Sequence, residues 1–120
     1  MPKPDFDPER WRERVRAQDV VFASFERLRQ IRTDHQFKAF VWPDEGGFGG
    51  DGTWTFNEAH RDAFEPLLID PTSASAMIVV HDTLNPKNQA RFERLMAEDR
   101  GWFGMLFEFS WEHVRFGRAA

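Results

Sequence analysis

The 120-residue chain carries 16 Lys and Arg against 20 Asp and Glu, a net charge of −4, and it has no cysteine. That composition excludes disulfides and thiolate chemistry, and it argues against a chain-wide electrostatic hold on nucleic acid or on an anionic membrane. Thirteen Phe and five Trp with no Tyr give rings almost without hydroxyls, which favours packing over hydrogen-bonded recognition.

A chain of this size is expected to form one domain around one core, spanning residues 1–120. Its longest apolar run, residues 76–80, is far too short to cross a bilayer, and the opening residues lack the apolar stretch of a secretory signal. A cytoplasmic location is the resulting expectation.

Pro2, Pro4 and Pro8 predict a mobile lead-in over residues 1–7. Asp7 followed by Pro8 reads as a helix cap and first helical position, so a long N-terminal helix is expected over residues 8–31. Its apolar face would carry Trp11, Val15, Val21, Phe22, Phe25 and Leu28. Seven arginines (10, 12, 14, 16, 27, 29 and 32) lie on it, balanced in part by Glu9, Glu13, Asp19 and Glu26. A solvated face explains them better than a phosphate-binding surface.

Residues 37–42 and 53–56 read as two strands of a hairpin, joined by a loop over residues 43–52 that holds five of the eight glycines. Residues 47–52 match Gly-x-Gly-x-x-Gly, but a strand follows where a dinucleotide site requires a helix, and Asp44, Glu45 and Asp51 would repel a phosphate. A mobile loop with Phe48 at its tip is expected. As a binding surface for another protein it would comprise Phe48, Trp42, Trp54, Asp44, Glu45 and Asp51.

Asn57 should cap a helix over residues 58–65 that Pro66 ends, with apolar cover at 67–69 and a turn at 70–73. The apolar run at 76–80 reads as an interior strand with material packed on both faces. Asn85 and Pro86 open a helix to about residue 98, which Gly101 would cap. A long aromatic strand is expected at the C-terminal end, with Phe103, Met105, Phe107, Phe109 and Trp111 all turned to the core. The expected fold is α+β, a single domain with a mixed sheet of about four strands and three helices packed mainly on one face. In it, the strand at 76–80, the following helix and the final strand form a right-handed βαβ unit.

His81 and Asp82 would then stand at a strand-to-helix junction, where ligands of open sheets collect, and they are the fallback catalytic pair. Capping and local hydrogen bonding explain them more simply. Asp34-His35, His81-Asp82 and Glu112-His113 pair acids with histidines, but strand neighbours point to opposite faces, and His60 completes no ligand spacing. No metal site and no cofactor are expected. Glu108 and Glu112, on one face of the expected final strand, form a carboxylate pair, but Ser110 between them suggests a plainly solvated face. None of the serines lies in a nucleophile elbow.

Arg100 and Gly101 ahead of alternating rings have the order of an RNA-recognition strand, except that Phe103 and Gly104 are interchanged. Nucleic-acid binding is therefore not favoured, and stacking of single-stranded bases on Trp102 or Trp111 is a secondary reading. The leading expectation is a small cytoplasmic protein-binding domain, acting as a regulator, inhibitor or immunity-type factor. A small-ligand binder or enzyme using His81 and Asp82 is the alternative. Eighteen rings exceed what one core of this size buries, so a homodimer is expected.

Overall fold

Four helices start at residues whose side-chain oxygen takes up a free amide of the first turn, and this capping sets their boundaries. Ser24 Oγ accepts from the Arg27 amide at 3.1 Å ahead of α1, Phe25–Asp34. Asp70 accepts from the Ser73 amide at 2.9 Å ahead of α2, Pro71–Asp82. Asn85 accepts from the Asn88 amide at 2.9 Å ahead of α3, Pro86–Glu98, and Asp99 accepts from the Trp102 amide at 2.8 Å ahead of α4, Arg100–His113. The computed structural model describes residues 20–60 and 64–114.

The strands are short: β1 Val20–Phe22, β2 Lys38–Val41, β3 Gly46–Phe48, β4 Trp54–Phe56 and β5 Leu67–Ile69. β2 is the middle strand of a mixed sheet, parallel to β1 (Val21 beside Phe40) and antiparallel to β5 (Ala39 beside Leu68). All four of its residues are buried, so it is the spine of the domain. β3 and β4 form a separate antiparallel hairpin in which Phe48 lies opposite Trp54. α1 is the crossover between the parallel pair β1 and β2, the connection that parallel strands require.

One core joins these pieces. Phe25, Leu28 and Ile31 of α1 and Phe40 and Trp42 from β2 and its end meet Met77 and Ile78 of α2, Phe92 and Met96 of α3 and Phe103 of α4. Phe103 stands edge-on to Phe40 and Trp42, with ring centroids 5.7 and 5.5 Å away. The Trp42 indole N–H is satisfied by the Met96 carbonyl at 3.0 Å.

The α+β class agrees with the sequence reading, but in place of one mixed sheet of about four strands with three helices the described residues form a three-stranded mixed sheet, a two-stranded hairpin and four helices. Residues 76–80 lie inside α2. They are apolar because this stretch of α2 is packed against α1 and α4, with all but Val79 buried, and a helix segment covered on most sides needs no polar face. Residues 103–111 are likewise helix. In α4 the inward residues are Phe103 and Ser110, with Leu106 and Phe107 half-buried, whereas Met105, Phe109 and Trp111 face outward. No βαβ unit joins residues 76–111, which form three successive helices. Gly101 stands inside the first turn of α4, and Asp99 ends α3 and caps α4.

Of the N-terminal helix expected over residues 8–31, the described part is β1 at Val20–Phe22 followed by α1 from Phe25; its first part and the lead-in lie outside the described residues. The 37–42 and 53–56 strands do not pair with each other. β2 pairs with β1 and β5, and the partner of β4 comes from the glycine segment itself. Residues 67–69 are a strand, and residues 70–73 are the capped start of α2. Asn57 does cap, its side chain accepting the Ala59 amide at 3.0 Å, but the element that follows is the 3-10 turn Glu58–His60, and residues 61–63 lie outside the described residues.

Candidate functional site

Two groups of residues come together away from the centre of the core. The first is a ring cluster on the hairpin. Its base is fixed by Glu45, which ends the 3-10 turn Pro43–Glu45 and is almost fully buried. The Arg100 guanidinium meets the Glu45 carboxylate with both edges, Nε to Oε2 at 2.8 Å and a terminal nitrogen to Oε1 at 2.9 Å, and also donates to the Glu65 carbonyl at 2.9 Å. The same guanidinium lies 4.9 Å from the Trp42 ring and 4.9 Å from the Phe64 ring. A planar cation held by a fork and two ring faces is a rigid fixture, and it ties the start of the hairpin to α4. The Asn57 amide donates to the Glu45 carbonyl at 2.6 Å, which fixes the far end of the hairpin to the same residue.

From that base the hairpin rises through Gly46. A Cβ there would press on the Thr55 carbonyl oxygen and lie 2.8 Å from Phe56 Cα, so glycine is required by close strand approach. The loop proper is short: the Gly49 amide donates to the Thr53 carbonyl at 2.9 Å, and Gly52 takes the left-handed conformation at φ 81°. Asp51 accepts the Thr53 amide at 3.0 Å, and hydrogen bonding from Thr53 holds its carboxyl below the usual carboxylate range, so it is ionised at neutral pH.

Phe48, Trp54 and Phe22 meet edge to face, with centroids 4.9 Å apart for Phe48 and Trp54, 5.5 Å for Phe22 and Phe48, and 5.7 Å for Phe22 and Trp54. Phe22 comes from β1, so the cluster bridges the hairpin and the edge of the three-stranded sheet. Phe22 keeps 44% of its surface exposed and Phe48 40%. Beneath them the Trp54 Nε1–H is buried and meets no acceptor among the described residues.

Of the residues that the sequence pointed to, Phe48 and Trp54 join this cluster, and Asp44 and Asp51 are exposed in the same segment of the chain. Trp42 and Glu45 are inside the domain and support the hairpin from below. Phe22 was missed because its β-branched neighbours were absorbed into a helix. The run Val20-Val21-Phe22 ahead of the Ser24 cap was the signal for a strand.

The second group surrounds His81. It lies in the last turn of α2, not at a strand end, and only 3% of it is exposed. Its Nδ1 is 2.8 Å from Asp82 Oδ1 and its Nε2 2.7 Å from Glu93 Oε2 on α3. The imidazole stacks on Phe25 of α1 at 3.9 Å, and Arg29 of α1 reaches Asp82 at 3.3 Å. Burial pushes the Asp82 carboxyl up, but the His81 hydrogen bond and the charge of Arg29 outweigh it and hold the group below its usual range.

Both imidazole nitrogens face carboxylates, so neither is open to a substrate proton; the arrangement fastens α1, α2 and α3 together. The sequence pointed to Arg29 only as one of seven arginines on a solvated face and did not point to Glu93, because partners on separate helices leave no local pattern. His35 ends α1 in the left-handed conformation at φ 54°, and His113 stacks on Phe109 at 4.2 Å. No group of three or more His, Asp or Glu side chains among the described residues is arranged to hold a metal ion. No helix among them is long and apolar enough to cross a membrane.

Comparison with protein-family models, with curated proteins and with solved structures finds no match for this chain.

Proposed function

We propose that this chain is a small cytoplasmic protein-binding domain, acting as a regulator, inhibitor or immunity-type factor, and that it binds through the hairpin. The observation that supports this reading is the pairing of exposed rings with one sign of charge. Residues 42–60 hold Asp44, Glu45, Asp51 and Glu58 and neither Lys nor Arg. Of these, Glu45 is buried and paired with Arg100, and Asp44 and Asp51 are exposed on the segment that carries Phe48.

Rings at the centre with charge at the margin are the composition of an interface, and the partner that fits is a basic protein surface with an apolar centre. The rings sit on a hairpin fixed at its base, so little ordering is lost on binding. The alternative reading, an enzyme or ligand binder centred on His81 and Asp82, has less support because both ring nitrogens are occupied.

The test is affinity capture with the intact chain, with Phe48→Ser beside it. A basic protein retained stoichiometrically by the wild type and lost from Phe48→Ser supports the proposal. Retention of the same protein by both chains contradicts it.

A further inference from the structure

The contacts of the His81 ring exceed what a neutral imidazole can make. Its Nδ1 is 2.8 Å from Asp82 Oδ1 and its Nε2 2.7 Å from Glu93 Oε2. An ionised carboxylate only accepts, and a neutral imidazole has a single N–H, so two such contacts require one further proton. Asp82 does not carry it. Burial pushes its carboxyl up, but the hydrogen bond to His81 and the charges of Arg29 and His81 outweigh that and keep the group ionised at neutral pH. The proton belongs to the ring or to Glu93.

The surroundings favour the ring. The Glu93 side chain keeps 46% of its surface in water, where its ionised form is solvated. Phe25 turns its ring to the imidazole at 3.9 Å, and an aromatic face attracts a cation. The charged groups that the described residues place here are Asp82 on α2 itself, Glu93 from α3 and, through its 3.3 Å contact with Asp82, Arg29 from α1. With an imidazolium, two cations face two anions. With a neutral ring, one carboxylate loses its cation and a ring lone pair points at an anionic oxygen.

We propose that His81 is held as the imidazolium and acts as a proton-dependent clasp across α1, α2 and α3, closed while both ring nitrogens are protonated and loosened when one proton leaves. The direction follows from the donors. The clasp adds stability where the ring is charged and loses it as pH rises, because either Asp82 or Glu93 is then left without its N–H. Gln89, uncharged, donates to the His81 carbonyl at 3.3 Å and still joins α3 to α2 once the ring is neutral. The helices therefore loosen without separating.

Nitrogen-15 NMR of the full chain tests the charge directly, with the His81 ring identified by through-space contacts to Phe25 and Phe92. At about pH 7.5, where a free imidazole is mostly neutral, both His81 nitrogens should still carry protons. Urea unfolding tests the coupling. Between about pH 6 and about pH 9 the unfolding constant of the wild type should rise at least about tenfold, and that of Glu93→Gln less than about threefold, since one anion facing the ring is gone. A neutral ring at pH 7.5 would put the proton on Glu93 and overturn the proposal. So would a pH dependence that Glu93→Gln leaves unchanged.

Discussion

The His81 cluster and the hairpin cluster are made of opposite materials and end in opposite states. His81, Asp82, Glu93 and Arg29 are the residues one would choose for acid-base chemistry, yet each of the four is hydrogen-bonded or ion-paired to another, and the imidazole between them is buried. Phe22, Phe48 and Trp54 have no chemistry to offer, yet they leave apolar surface in water and one indole N–H without an acceptor among the described residues. A reactive residue type marks a site only when some of its bonding capacity is unspent, and here the unspent capacity lies with the rings. The polar clusters hold the domain together, and the exposed rings are the surface through which the proposed binding would run.

The sharpest way to break this contrast is through the fixture beneath the hairpin. Arg100→Ala leaves the buried Glu45 carboxylate without its cation and should cost about 3–5 kcal/mol in urea unfolding. Arg100→Lys should recover only part of this, since an ammonium cannot make the two-edged contact or lie flat between Trp42 and Phe64. A loss below ~1 kcal/mol for Arg100→Ala would show that the pair does not carry the hairpin.

Next in size is the pair of α4 rings. Phe103→Ala should cost about 3–5 kcal/mol because the ring is fully enclosed, and Phe109→Ala less than about 1 kcal/mol because much of it is in water. Equal costs would contradict the helix and restore a strand with both rings inward.

That comparison also shows what was readable in the chain. The caps were legible where they were sought: Asn85 with Pro86 was correctly read as a helix start. The same signal at Asp70 and Pro71 was taken for a turn, which left residues 76–80 free to be read as a strand. Four of the five, all but Val79, are buried, but five apolar residues cannot distinguish a buried strand from one turn of a buried helix. In residues 103–111 the rings fall at odd positions and so mimic period two, while Asp99 signals a helix start. The site was legible in part. Phe48, Trp54, Asp44 and Asp51 are local to one loop, whereas Phe22, Arg100 and Glu93 are brought in from distant segments, and no local pattern names them.

A smaller effect is expected from Asp82. Its carboxyl is held below the ordinary range in the folded state, so its contribution is complete above the unfolded value and disappears as pH falls through the folded one. Thermal midpoints measured from neutral to acid pH should therefore fall less steeply for Asp82→Asn than for the wild type. Identical acid slopes would mean that the ion pair with Arg29 and the His81 bond contribute nothing in solution. Smallest in stability is Phe48→Ser, which should shift the unfolding free energy by under about 1 kcal/mol because Phe48 keeps 40% of its surface in water.

The most direct test of the account is calorimetric titration of the captured partner into three chains: wild type, Phe48→Ser and His81→Gln. The account predicts that Phe48→Ser loses at least about 2 kcal/mol of binding, as an interface anchor does. His81→Gln should change binding by less than about 0.7 kcal/mol, roughly threefold, whatever it does to stability. Binding that survives Phe48→Ser and collapses in a folded His81→Gln would contradict the account and move the functional site to the His81 cluster.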